Sequence, residues 1–141
     1  SGKYSSALKK QIKAFAKPLG LAFQLQDDVL GLFGDPKETG KSTLTDLLQK
    51  KKTFLVLKTL ELLKAQKKIL FLKLFQKKDP SGEEISILKK LIISSGALEQ
   101  VMQNISSYVL ESQKVLKSLP FQIKQKKALE QFTDFVASRA R

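Results

Sequence analysis

The sequence contains no cysteine and no histidine. The first absence excludes a disulfide framework and a thiolate metal site; the second excludes imidazole-ligated zinc and acid–base catalysis by histidine. Any metal must therefore be held by oxygen ligands, which selects Mg²⁺ or a similarly hard cation. No apolar run approaches the roughly 20 residues needed to span a bilayer, and no signal peptide is visible, so a cytoplasmic protein without a transmembrane segment is expected. Arginine is almost missing too. Lysine and arginine total 26 against 13 acidic residues, giving a net charge of +13, yet only Arg139 and Arg141 are arginines. Base-edge recognition favours arginine forks, and single-strand binding needs aromatic platforms. The nine phenylalanines instead fall on apolar helical faces. The excess charge thus reads as a lysine-rich solvated helix surface and not as a nucleic-acid site, with peripheral contact to an anionic membrane as the weaker alternative.

The 141 residues, 42% of them apolar, are enough for one globular domain with a real core. No alternating strand pattern and no internal repeat is present. Leu8, Ile12, Phe15, Leu19, Ala22, Val29 and Phe33 keep three- and four-residue steps, interrupted by Gln26, and predict a first helix capped by Ser5 or Ser6. Pro18 should kink that helix without ending it. Gly31 and Gly34 weaken its end, and residues 35–43 read as a loop. A second helix is expected from near Thr45 through Leu55, Leu60 and Leu63, and a third around Ile69 to Phe75. Asp79-Pro80-Ser81-Gly82 is the clearest break, with Ser81 and Glu84 spaced as a capping box for a helix through Ile85, Leu88 and Ile92. A long helix should run from Ala97 to about Leu119, and Pro120 separates it from the last one. The fold class is all-α.

The most specific chemistry lies in FQLQDDVLGLFGDPKETGKSTLTDLLQKKKT, residues 23–53. Two adjacent carboxylates, Asp27 and Asp28, close a helical pattern. Lys41, Asp46 and the run Lys50, Lys51 and Lys52 follow. Carboxylates that can hold Mg²⁺ and lysines that can meet phosphate oxygens are what a metal-bridged diphosphate needs. Asp27 and Asp28 stand about 100° apart around a helix, with Gln24 one turn earlier near the same face. Asp35 would lie about 12 Å further along the axis if helix continued, too far to share a metal with Asp27. Mg²⁺ accepts so few protein ligands because it keeps several waters and takes phosphate oxygens directly.

FQLQDDVLGLFGDP, TGKS, TD and KKKT together resemble the second aspartate-rich region, here residues 27–35, of trans-polyprenyl diphosphate synthases, the farnesyl and geranylgeranyl diphosphate synthase family. KAFAKPLGLAFQ before it and SSGALEQV after it are similar to that family's C-terminal half. The resemblance implies a helical bundle of the isoprenoid synthase type, with residues 1–141 forming a single helical domain that represents only the C-terminal half. The family's first aspartate-rich region would precede Ser1, so the resemblance implies a fragment that is inactive alone. It also implies roles. Asp27 looks like the principal metal carboxylate, with Asp28 supporting it. Lys41 and Lys51 look like lysines contacting the allylic diphosphate, Asp46 like an acidic partner for metal-bound water or a lysine, and Gln24 like a glutamine lining the allylic site. The implied reaction is a Mg²⁺-dependent prenyl transfer joining an allylic diphosphate to isopentenyl diphosphate in isoprenoid biosynthesis, by a homo-oligomeric enzyme, typically a dimer.

Two other readings compete. Gly34 to Ser42 resembles a phosphate-binding loop, but five residues separate its glycines where a Walker A loop has four, and it follows a helix and not a strand. A non-catalytic helical subunit or interaction domain derived from the same fold is the remaining alternative. Helices lacking partners should expose apolar faces along Leu8, Ile12, Phe15 and Leu19, or along Phe54, Leu57 and Leu60, and self-associate through them.

Overall fold

The computed structural model describes residues 5–34 and 52–139. All regular structure among them is α-helical: α1 (Ser6–Phe33), α2 (Phe54–Leu62), α3 (Ala65–Phe75), α4 (Gly82–Ser95), α5 (Ala97–Ser118) and α6 (Ile123–Ser138). The all-α expectation therefore holds.

Local signals account for most of the helix ends. Ser5 Oγ accepts from the Leu8 backbone N–H at 3.1 Å, satisfying one of the donors that a helix start leaves open. Pro18 sits inside α1, which continues past it to Phe33, as expected. At α4 the expected capping box is present: Ser81 Oγ accepts from the Glu84 N–H, and the Glu84 carboxylate accepts from the Ser81 N–H, each at 3.1 Å. The α4–α5 junction turns on Gly96, whose φ of +86° is a left-handed conformation that glycine adopts without a Cβ penalty. Its N–H donates to the Ile93 carbonyl at 3.1 Å.

Two expectations need correction. The helix through Leu55 and Leu60 begins at Phe54, because Thr53 is an extended N-cap whose hydroxyl accepts from the Val56 N–H at 3.2 Å; the expected start near Thr45 lies outside the described residues. It also ends before Leu63, an extended C-cap residue. The third helix begins at Ala65, four residues before Ile69. The second correction concerns exposure. Phe15 and Leu19 are 7% and 5% exposed, so they do not form an open apolar face.

The chain forms two compact units. The first comprises Ser1–Gln26 with Gln103–Arg141, the second Asp27–Met102. In the first, α1 meets α5 and α6. Ser112 Oγ donates to the Phe15 carbonyl at 2.9 Å, in the turn where Pro18 supplies no backbone N–H. Gln26 Nε2 donates to the Val136 carbonyl of α6. Phe15, Leu19, Ala22, Val109, Leu116 and Val136 are buried in this unit. In the second, α2 and α3 pack on α4. Ile85, Leu88 and Ile92 keep steps of three and four, making one buried stripe of α4, while Leu55, Val56, Phe71 and Leu74 are buried on the helices packed against it.

Candidate functional site

The candidate site begins on the last turns of α1. Apolar residues on this stretch are buried: Leu25 in the first unit, Val29 and Leu32 in the second. The intervening polar residues are presented differently. Gln24 and Asp27 are exposed and Asp28 is half-buried. Buried apolar positions on one side of a helix fix its rotation and leave the remaining side for polar groups. The helix ends at Phe33, and the Gly34 N–H donates to the Leu30 carbonyl at 2.8 Å. No basic residue lies in the last turn of α1, but Lys89 of α4 brings its ammonium 5.9 Å from the Phe33 ring centroid. A cation beside a helix C-terminus is favoured by the helix dipole, and over an aromatic face by the ring quadrupole.

Structure thus supports Gln24, Asp27 and Asp28 as neighbours on one helix. Lys41, Asp46, Lys50 and Lys51, and Asp35 at the end of the aspartate-rich region, lie outside the described residues; Lys52 is exposed immediately before the Thr53 cap. Among the described residues, no group of three or more acidic side chains is placed to hold a metal ion. Two adjacent carboxylates suit Mg²⁺ nonetheless, since that ion takes one or two carboxylates and completes its shell with water and phosphate oxygens.

Two residues that sequence reasoning left without a role support this end of α1. Gln26 interrupts the apolar pattern, yet it is fully buried. Its amide N–H bonds the Val136 carbonyl, and its Oε1 is buried without a hydrogen-bond partner among the described residues. Arg139 places its guanidinium 4.1 Å from the centroid of the Phe23 ring, next in sequence to Gln24. A guanidinium over a phenyl ring is a favourable cation–π contact. Both contacts tie α1 to the far end of the chain, so no local spacing announces them.

Residues 1–92 match the family described as Polyprenyl synthetase. The chain belongs to that family. Among curated relatives, a geranylgeranyl diphosphate synthase of Sulfolobus acidocaldarius is 48% identical over 80 residues, covering 54% of this chain and 24% of that protein. A geranylfarnesyl diphosphate synthase of Aeropyrum pernix is 30% identical over 137 residues, covering 96% of this chain and 42% of the relative. The fold is similar to a geranylgeranyl pyrophosphate synthase of Corynebacterium glutamicum complexed with isoprenyl diphosphate and magnesium. The TM-score is 0.87 at 28% identity, over 96% of this chain and 38% of that one. A polyprenyl synthetase of Streptomyces coelicolor gives a TM-score of 0.86 at 27% identity, with 96% and 42% covered. The chain thus spans 24% to 42% of the length of these polyprenyl synthetase relatives. No helix among the described residues is long and apolar enough to cross a membrane.

Proposed function

We propose that this chain supplies the second aspartate-rich half of a trans-polyprenyl diphosphate synthase, a prenyltransferase joining an allylic diphosphate to isopentenyl diphosphate in the cytoplasm. The observation that carries the reading is the grouping of Gln24, Asp27 and Asp28 on the closing turns of α1, in a polyprenyl synthetase chain. Asp27 and Asp28 would hold Mg²⁺, which when bound neutralises charge developing on the leaving diphosphate. Lys41 and Lys51 would bind the phosphate oxygens of the allylic substrate, and Asp46 would orient one of those lysines or a bound water. Gln24 would line the allylic group. The remaining chemistry needs position and charge, not a side-chain nucleophile: the diphosphate departs with its bonding pair, the double bond of isopentenyl diphosphate attacks the carbocation left behind, and the new cation loses a proton to the released diphosphate to form the product's double bond. Homo-oligomerisation belongs to the proposal. Phe54 and Leu57, 42% and 50% exposed, offer an apolar face for it.

Titration calorimetry with Mg²⁺ and inorganic diphosphate, on wild type and Asp27→Ala, tests the site. Wild type should bind diphosphate more tightly with Mg²⁺ present, and Asp27→Ala should lose at least about tenfold of that enhancement. Identical enhancement in the two proteins, or none in either, would remove Asp27 from a metal site and leave the non-catalytic helical subunit as the better reading.

A further inference from the structure

Helix α1 carries helix-weakening residues on either side of the candidate site: Pro18 and Gly20 before Gln24, and Gly31 after Asp28. The proline removes one backbone hydrogen bond, and glycine in a helix interior is less stable than alanine. The turns between Gly20 and Gly31 therefore depend on contacts from outside the helix to hold one rotation.

Two such contacts come from the end of α6, and both fall within this stretch. Gln26 is fully buried and donates to the Val136 carbonyl, while the Arg139 guanidinium covers the Phe23 ring. Stability alone selects neither residue. An aliphatic side chain would fill the place of Gln26 without burying an Oε1 that has no hydrogen-bond partner among the described residues. Arg139 is the C-cap residue of α6, where the helix dipole favours a cation, but a lysine would serve the dipole equally. Among 26 basic residues only Arg139 and Arg141 are arginines, and lying flat on a ring is what a planar guanidinium does and an ammonium does not. Phe23 and Gln26 stand about 60° apart around α1, so the two contacts hold one side of the helix against rotation about its axis. Gln24 and Asp28, about 40° apart, lie on the far side, and their direction follows from that hold.

We infer that Gln26 and Arg139 are positioning residues: acting through α1, they fix the direction in which Gln24, Asp27 and Asp28 meet a magnesium-bridged diphosphate. The inference rests on the reading of Asp27 and Asp28 as metal ligands, and makes the affinity of that site depend on the end of α6.

Titration calorimetry of the full chain with inorganic diphosphate, with and without Mg²⁺, tests it. Arg139→Gln and Phe23→Leu should each lower the Mg²⁺-dependent gain in affinity about tenfold, as when an outer partner of a metal ligand is removed. The double substitution should lower it no further, because both changes remove one contact. Gln26→Leu, which fills the same space without the amide, should also lower it about tenfold. Phe23 and Arg139 are partly exposed, so those variants carry the test if Gln26→Leu fails to fold. Diphosphate binding without Mg²⁺ should be unchanged in all of them. Ser112→Ala removes a different tether of α1, at Phe15, about 13 Å along the axis from Gln24, and should leave the gain within about twofold. Losses of equal size with and without Mg²⁺ in Arg139→Gln, with Phe23→Leu unaffected, would overturn the positioning role and make Arg139 an anion ligand. An equal loss in Ser112→Ala would overturn it as well, tracing the effect to general loosening of the first unit. A gain that Asp27→Ala abolishes and these variants leave intact would overturn this inference alone. A wild type with no gain would overturn the metal-site reading and this inference with it.

Discussion

Truncating Phe71 to alanine should open α3 locally while leaving α4 folded. Phe71 has no exposed surface and, with Leu74, is one of two buried residues of that helix; its ring stacks on Phe75 with centroids 5.8 Å apart. At 11 residues, α3 is shorter than the about 12–15 residues below which isolated helices are marginal in water, so packing must hold it helical. A buried Phe→Ala change costs about 3–5 kcal/mol, and the aromatic pair accounts for about 0.5–1.5 kcal/mol of interaction beyond area burial. Leu74, the anchor that remains, contributes only about 1.5–3 kcal/mol. The loss matches or exceeds what is left. Hydrogen exchange should therefore accelerate by at least roughly 100-fold across residues 67–75, and much less around Leu88 and Ile92, which are buried on α4. Ile69→Ala, at a side chain 62% exposed, should stay within about 0.5 kcal/mol of wild type. Unchanged protection of α3 in Phe71→Ala would refute the anchoring argument. Equal loss across α3 and α4 would refute the local opening, showing that the second unit unfolds as one.

Two further expectations concern local devices. The Lys77 ammonium, and then the Ser81 backbone N–H, hold the Glu84 carboxyl below the ordinary glutamate value. A depressed folded-state value means stabilisation that is complete above the unfolded value of about 4.3 and is lost as pH falls through the folded one. Lys77→Gln should raise the Glu84 midpoint seen by nuclear magnetic resonance, and an unmoved midpoint would dismiss Lys77 as the main cause. The glycines predict opposite signs in thermal melts. At Gly20, inside α1, an added Cβ meets nothing within 4 Å, so Gly20→Ala should stabilise by about 0.5–1 kcal/mol. Gly96→Ala has the same open space but a φ of +86°, so it should destabilise by about 1–2 kcal/mol. Shifts of the same sign would contradict the conformational argument.

Devices that act within one turn are legible in the sequence. Ser5 at the start of α1, the reciprocal Ser81 and Glu84 bonds, and Pro18 inside a continuing helix all follow from side chains and backbone groups a few residues apart. So did the nearness of Gln24, Asp27 and Asp28, because helical spacing alone sets it. The start of α2 shows where such reading fails. A lysine run has good helix propensity, and nothing in the spacing marks Thr53 as a cap. Thr53 is extended, with its hydroxyl on the Val56 N–H, and the buried Leu55, Val56 and Thr59 belong to a helix that packs on α4. Burial was decided at still longer range. Phe15 and Leu19 are covered because α5 and α6 return to α1, and Gln26, which only breaks an apolar pattern in the sequence, becomes a buried donor to the Val136 carbonyl. Periodicity specifies which side of a helix is apolar, whereas the identity of the partner on that side depends on where the chain comes back, and only the tertiary fold supplies it.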